Sequence, residues 1–143
     1  MYELVYCSIT EPNMKYDDVL NILEKSRDYN IKHNISGCLL LYNKQIVQII
    51  EGEKDIVQGL FKKIKKDKRH KRVLLLTQGP KEERYFPNWS MAFRELREND
   101  FNKIIEKNFI NNFTAFADLA EKPTLAMHTF WSTAKQILYD DYS

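Results

Sequence analysis

The chain has 143 residues, of which 43% are hydrophobic and 29% are charged, a balance typical of one globular domain. The formal net charge of +2 gives no indication of a nucleic-acid partner. The glycines form neither GxGxxG nor GxxxxGK, which excludes the usual phosphate-binding loops, and the absence of CxxC and HExxH argues against a structural zinc site. With two cysteines and no apolar run of about 20 residues, we expect a reducing, cytoplasmic setting and no membrane span.

The spacing of the apolar residues predicts alternating strands and helices over the first part of the chain. In chain order they form the pattern βαββαββ, over residues 2–8, 16–29, 36–42, 45–51, 54–66, 72–78 and 89–96. The third and fourth elements are joined by Asn43-Lys44, which indicates a hairpin. With right-handed crossovers, this order predicts an α+β, ferredoxin-like fold, in which a five-stranded mixed sheet carries both helices on one face.

We expect residues 97–143 to form a C-terminal helical cap on a core of residues 1–96. The second of its two predicted helices begins near Pro123, a residue favoured in the first helical turn. The apolar residues of these helices are Phe101, Ile104 and Ile105, and then Met127, Phe130, Trp131, Ala134 and Leu138. Because both sheet faces are apolar, the face away from the crossover helices needs cover from this cap or from a second subunit. That face and Trp131 together predict a homo-oligomer, at least a dimer.

Polar side chains interrupt several of the apolar faces. Gln48 interrupts a face of its strand, Tyr6 and Ser8 continue a face of the first strand, and the apolar stripe of the first helix ends in Ser26 and Asn30. Burying such groups without partners costs roughly a few kcal/mol each, so they either satisfy one another or bind a polar, planar guest. Periodicity alone favours hydrogen bonding within the core and does not name a guest.

Short motifs along residues 2–96 occur together in a distinctive order and spacing. They are Leu-Val-Tyr-Cys-Ser at 4–8, Asn30, Ile-Ser-Gly-Cys-Leu-Leu at 35–40, Val-Gln-Ile-Ile-Glu-Gly at 47–52, Ile64-x-x-Asp67-x-Arg69-His70, and Phe86-Pro-x-Trp89-Ser-Met91. Together these motifs resemble the BLUF domain, the flavin-based blue-light sensor, which has the fold predicted above.

The resemblance implies a flavin held non-covalently between the two crossover helices, with its ring edge toward the sheet. By position, Tyr6 is the electron and proton donor, Gln48 is the switch amide between Tyr6 and the N5/O4 edge of the ring, and Asn30 anchors the pyrimidine side. Asp67 and Arg69 lie near the polar edge of the ring. The residues implied to line or support the pocket are Ser8, Ile22, Ser26, Lys63, Ile64 and His70. The residues implied to transmit the signal are Trp89 and Met91.

The implied activity is a photocycle without substrate turnover, so we do not expect an enzyme. Excited flavin is a strong oxidant, to which Tyr6 can supply an electron and then a proton. Gln48 then turns over or tautomerises, which its amide allows because it has both a donor and an acceptor. A stronger hydrogen bond at flavin O4 then shifts the absorption to the red. FAD is the usual cofactor of the family, and FMN or riboflavin would make the same ring contacts.

The resemblance also indicates how the domain would pass its signal on. The residues after 96 are too few for a fused cyclase or phosphodiesterase domain. We therefore expect a short stand-alone sensor, which signals to a partner protein or another subunit through the last strand and the C-terminal helices.

Two other classes of protein stay open from the residues alone. The basic run from Lys62 to Arg72 on a ferredoxin-like sheet would suit an RNA-binding module. We favour a solvated helix end whose cations complement the helix dipole, because the sheet lacks an RNP-type aromatic motif. A small ferredoxin-like enzyme without flavin would need a base in a cleft, and His70 is the histidine best placed for that role.

Overall fold

The computed structural model describes residues 1–87, 90–96 and 124–140. Its elements are the strands β1 (Tyr2–Thr10), β2 (Ser36–Tyr42), β3 (Gln45–Gly52), β4 (His70–Pro80) and β5 (Ala92–Leu96), and the helices α1 (Tyr16–Lys32), α2 (Lys54–Lys66) and α3 (Leu125–Asp140). The sheet order is β4-β1-β3-β2-β5, with β2 and β5 parallel and every other neighbouring pair antiparallel. The predicted α+β class is confirmed.

Local chemistry explains where α1 begins and ends. The Asp18 carboxylate accepts a hydrogen bond of 3.0 Å from the backbone N–H of Lys15, and acidic residues occupy the first turn, where the helix dipole favours them. Beyond the helix, Asn34 adopts a left-handed φ of 56°, which asparagine tolerates, and the chain turns into β2. The helix ends at Lys32, later than the predicted residue 29.

The predicted hairpin joins β2 and β3. Asn43 and Lys44 have φ values of 46° and 70°, the left-handed pair that a type I′ turn requires. Tyr42 pairs with Gln45 directly across the turn. This tight connection fixes the register of β3 against β2, and therefore which β3 side chains face the helices.

Both crossover helices pack on one face of the sheet. Val57 and Phe61 are the buried side chains of α2, and Leu23 is the buried apolar side chain of α1. The buried residues of this layer are Leu4, Tyr6, Ile35, Ile50, Val57 and Phe61 around α2, and Leu23, Leu39, Leu41, Ile46 and Met91 around α1. Alternation along the strands therefore places Tyr6 and Gln48 toward the helices.

The opposite face is covered by α3 of the same chain. Thr124 caps this helix, because its hydroxyl oxygen accepts a hydrogen bond of 3.2 Å from the backbone N–H of Met127. The buried residues of this layer are Val5, Cys38, Leu40, Tyr42, Val47, Ile49, Phe86, Ala126, Met127, Phe130, Trp131 and Ala134. Within the described residues, α3 of the C-terminal segment therefore covers this face. The use of Trp131 as a sign of oligomerisation is wrong, because that side chain is 1% exposed within the single chain.

Strand β5 is shorter than predicted. It begins at Ala92 and not at residue 89, because the carbonyls of Ser90 and Met91 accept hydrogen bonds from α1 side chains before pairing with β2 starts. Trp89 and the first predicted C-terminal helix lie outside the described residues. Within the described ranges, none of the helices has the length and apolar character that a bilayer crossing needs.

Candidate functional site

A cavity of about 270 Å³ opens between α1, α2 and the helix-facing side of the sheet. Its apolar lining consists of Met14, Val19, Ile22, Leu23, Leu39, Leu41, Ile46, Leu60, Ile64 and Met91. Its polar lining consists of Tyr6, Thr10, Lys25, Ser26, Tyr29, Asn30, Gln48, Lys63, Asp67, Arg69 and His70. Aliphatic walls with a few placed polar groups are typical of a site for a planar ligand that has both apolar and polar edges.

Tyr6 and Gln48 form the polar centre of this cavity. They are direct partners on the antiparallel strands β1 and β3, so their side chains emerge side by side. The Tyr6 hydroxyl donates a hydrogen bond to Oε1 of Gln48. Burial raises the pKa of Tyr6 well above its usual value, and the negative charge of Asp67 raises it further. Tyr6 is therefore a neutral phenol that keeps its proton and donates it in the hydrogen bond to the Gln48 amide oxygen.

The other end of the Gln48 amide is also engaged. Its Nε2 donates to the sulfur of Met91 at 3.2 Å, in a segment just before β5. A thioether sulfur is a weak acceptor and has no hydrogen to donate. Gln48 thus bridges a phenol that donates and a sulfur that accepts, and each end of the amide has a partner of matching type.

Asn30 contributes a second buried amide from α1. Its Nδ2 donates a hydrogen bond of 2.7 Å to the carbonyl oxygen of Ser90, while its backbone carbonyl accepts from the N–H of Ile35. Ser26 lies one turn earlier on α1 and lines the same cavity. The polar end of the α1 stripe therefore faces the cavity.

Asp67, Arg69 and His70 form a rim between α2 and β4. Arg69 Nη2 lies 2.5 Å from Oδ2 of Asp67, and the Arg69 backbone N–H donates to Oδ1 at 2.9 Å. These hydrogen bonds hold the pKa of the Asp67 carboxyl below its usual value. His70 lies 3.0 Å from the Ser8 hydroxyl through its Nδ1. The rim thus presents a paired carboxylate and guanidinium beside a half-buried imidazole.

Lys63 and Tyr29 face each other across the two helices that bound the cavity. The Lys63 ammonium lies 4.8 Å from the centre of the Tyr29 ring and 3.4 Å from its hydroxyl oxygen. This cation–π contact joins α2 to α1 and places one positive charge on the lining.

Most of the residues predicted for the site lie around this cavity. Those that line it are Tyr6, Ile22, Ser26, Asn30, Gln48, Lys63, Ile64, Asp67, Arg69, His70 and Met91. Among the predicted residues that the structure describes, Ser8 is the exception, because it does not line the cavity and instead hydrogen bonds to His70. Lining residues that the sequence did not single out, such as Thr10, Met14 and Lys25, lie at element ends or beside the stripe, where periodicity is least informative.

A buried charge cluster on the sheet is a second feature that the sequence did not reveal. Lys81 Nζ lies 2.9 Å from Oε2 of Glu3 and 2.6 Å from Oε2 of Glu51, and all three side chains are at most 3% exposed. Glu51 also accepts hydrogen bonds from the backbone N–H groups of Tyr85 (2.8 Å) and Phe86 (2.6 Å). The cluster therefore anchors the chain after β4 to β1 and β3.

Fold and cavity together define the class of this protein: an α+β domain with a cavity of apolar and polar lining between its two crossover helices and the sheet. The family model described as "BLUF: Sensors of blue-light using FAD" matches residues 1–92. The chain therefore belongs to the BLUF family.

Known relatives agree with this assignment. The chain is 34% identical over 90 residues to photoactivated adenylate cyclase subunit beta of Euglena gracilis. The matched region covers 62% of this chain and 10% of that protein. It thus spans about a tenth of the length of the curated relatives that it matches. The solved BLUF protein BlrB, in its dark state, is 26% identical with a TM-score of 0.69, over 93% of this chain and 96% of that one. A bacterial light-regulated adenylyl cyclase is 30% identical with a TM-score of 0.67, over 78% of this chain and 34% of that one.

Proposed function

We propose that this protein is a blue-light photoreceptor that holds a flavin non-covalently in the cavity between α1 and α2. The observation that carries the proposal is the Gln48 amide, which accepts from the Tyr6 hydroxyl and donates to the Met91 sulfur. A phenol and a reversible amide, side by side on the wall of a cavity with aliphatic sides, are the groups that a light-driven hydrogen-bond switch needs.

The lining fits a flavin ring. Ile22 on α1 and Ile64 on α2 would pack against the faces of the ring, and Asn30, Asp67 and Arg69 would bind its polar edge. Lys63 would contribute a positive charge without the bidentate geometry of arginine. FAD is the cofactor in the family description, and FMN or riboflavin would make the same ring contacts.

When bound, the flavin supplies the absorption of blue light and an excited state that is a strong oxidant. Tyr6 would give one electron to this oxidant and pass its hydroxyl proton toward it through Gln48. Without that proton, the bond that holds Oε1 of Gln48 is lost, and the amide turns over or tautomerises. Tyr6 afterwards recovers its electron and proton, so the cycle makes no product and the protein acts as a sensor and not as an enzyme.

We further propose that the signal leaves through Met91, Trp89 and β5 to residues 97–143. The packing of α3 on the opposite sheet face supports this, because a change in β3 reaches α3 through one packed layer. The receiver would be a partner protein or a second copy of the chain. The photoactivated and light-regulated cyclases named above contain the similar region within longer chains, whereas BlrB is matched over 96% of its length, and we propose output by contact here.

A light-minus-dark visible spectrum of the purified protein tests the proposal. After reconstitution with FAD, we expect a yellow protein whose absorption shifts reversibly to the red under blue light. A preparation that takes up none of FAD, FMN or riboflavin would overturn the proposal. A pigmented protein whose spectrum does not respond to blue light would overturn the switch while leaving flavin binding in place.

A further inference from the structure

Two side chains on one face of α1 hold consecutive carbonyls of the segment that precedes β5. Asn30 Nδ2 donates to the carbonyl oxygen of Ser90 at 2.7 Å, and Arg27 Nε donates to the carbonyl oxygen of Met91 at 3.1 Å. Residues three apart lie on the same side of a helix, so the two donors act as one clamp. Arg27 does not line the cavity, so a direct contact with a bound ligand does not explain this hydrogen bond.

The position of Met91 matters because its sulfur distinguishes the two ends of the Gln48 amide. In the observed orientation, Nε2 of Gln48 donates to the sulfur and Oε1 accepts from Tyr6. If the amide were reversed, Oε1 would face a sulfur that has no hydrogen to donate, and the contact would become unfavourable. A sulfur held in place therefore stabilises the observed orientation.

Packing leaves the Met91 side chain little freedom of its own. It is buried among Leu23, Leu39 and Ile46, and its methyl carbon lies 3.3 Å from the point where a Cβ on Gly37 would stand. The main way to move the sulfur away from Gln48 is therefore to move the Met91 backbone, which the hydrogen bond from Arg27 opposes.

We propose that Arg27 is a positioning residue: through Met91 it stabilises the observed orientation of Gln48 and so sets the rate at which the light-adapted protein returns to the dark state. This inference rests on the proposed function, because it assumes that light reverses the Gln48 amide. Asn30 shares the clamp, but we have also placed it at the flavin edge. Arg27, exposed and outside the cavity, allows the clamp to be tested without changing the flavin contacts.

Two substitutions separate the hydrogen bond from the charge. Arg27→Gln places an N–H donor at the same number of bonds from the backbone as Arg27 Nε, whereas Arg27→Met places a methyl group there. Both remove the positive charge, and both should leave an exposed position well folded. In the FAD-loaded full chain, we expect Arg27→Met to slow dark recovery by about 3- to 10-fold, the effect of one lost hydrogen bond. Arg27→Gln should stay within about twofold of the parent.

Three recovery results would overturn the inference: both variants recover like the parent, both are altered equally, or Arg27→Met recovers faster. Amide hydrogen exchange of β5 in the same dark proteins provides a second readout that does not need light. Faster exchange in Arg27→Met alone supports the clamp, and equal exchange in all three proteins refutes it. If the clamp is supported but blue light has no effect on any of the proteins, the proposed function fails and the clamp remains as a structural contact.

Discussion

The hydroxyl of Ser8 on β1 lies 3.0 Å from Nδ1 of His70, the first residue of the neighbouring strand β4. The His70 ring also stands edge-on to the Tyr6 ring, with the ring centres 6.4 Å apart. Burial lowers the pKa of His70, and although the charge of Asp67 opposes this shift, the net direction is downward. The folded protein therefore favours a neutral imidazole beside the proposed switch.

The lowered pKa of His70 predicts a pH-dependent stability. The stability that the fold gains while His70 is neutral is fully present above the usual histidine pKa of about 6.5. It is lost as the pH falls from there through the lower pKa of His70 in the folded protein. The unfolded chain takes up the proton that folded His70 resists. Urea unfolding between about pH 7.5 and 5.5 should therefore give a declining free energy of unfolding.

Two variants show whether His70 causes this decline. His70→Gln should reduce the slope of stability against pH, whereas His128→Gln, at an exposed position on α3, should retain it. An unchanged slope in His70→Gln would assign the pH dependence to other groups.

Removing either partner of the Tyr6–Gln48 hydrogen bond should abolish the red-shifted state while leaving a folded, yellow protein. Tyr6→Phe removes the electron and proton donor, and Gln48→Leu removes the switch amide. Tyr6→Phe also leaves Oε1 of Gln48 without its donor, which should cost about 1–2 kcal/mol of stability. Visible difference spectra and urea unfolding measure the two effects.

Tyr42→Phe is the matched control for these two variants. Tyr42 is equally buried but packs on the α3 side of the sheet, away from the cavity. It should keep the photocycle. Normal cycling in Tyr6→Phe or in Gln48→Leu would contradict the roles proposed for those residues.

Substitution of Lys81 by methionine should strongly destabilise the fold. It removes the cation that lies between the buried carboxylates of Glu3 and Glu51. The two negative charges are then left buried without the Lys81 ammonium. Breaking a buried ion pair from one side costs about 3–5 kcal/mol. Lys62→Met, at an exposed position of α2, should change the free energy of unfolding by no more than about 0.5 kcal/mol. Equal stabilities of the two variants in urea would show that the cluster contributes little.

Two glycine-to-alanine substitutions should change the free energy of unfolding in opposite directions. A Cβ at Gly37 would lie 2.1 Å from the carbonyl oxygen of Ile49, so β2 and β3 would have to separate, and we expect a loss of about 3 kcal/mol or more. A Cβ at Gly59 in α2 would meet no atom within 4 Å, and alanine there should stabilise by about 0.5–1 kcal/mol. Thermal unfolding measures both, and a stable Gly37→Ala would contradict the close strand approach.

The sequence alone predicts the features that depend on the spacing of apolar residues within one strand or one helix. Alternation predicts which residues share a face of each strand, so it groups Tyr6 with Leu4 and Gln48 with Ile46 and Ile50. The helical spacing likewise puts Ser26 and Asn30 at the end of the apolar stripe of α1. Whether these faces meet in one layer does not follow from the period of any single element, and only the family resemblance implied a common site.

Features that depend on pairing across distant segments could not be predicted in this way. Lys81 lies in a stretch that the pattern left irregular, and nothing local indicates that Glu3 and Glu51 are its partners. Arg27 is an exposed residue of an amphipathic helix, and its link to Met91 depends on how the segment before β5 passes over α1. Trp131 was assigned to an interface between copies because an apolar helix face does not specify which surface covers it.

The burial of Trp131 between its own helix, α3, and the sheet has a practical consequence. The chain contains two tryptophans, so Trp89→Phe would leave Trp131 as the sole indole emitter. Its fluorescence should lie toward the blue while α3 stays docked and should move toward longer wavelengths if water reaches the ring. The protein thus has an intrinsic optical probe of helix detachment, which can be read without any attached label.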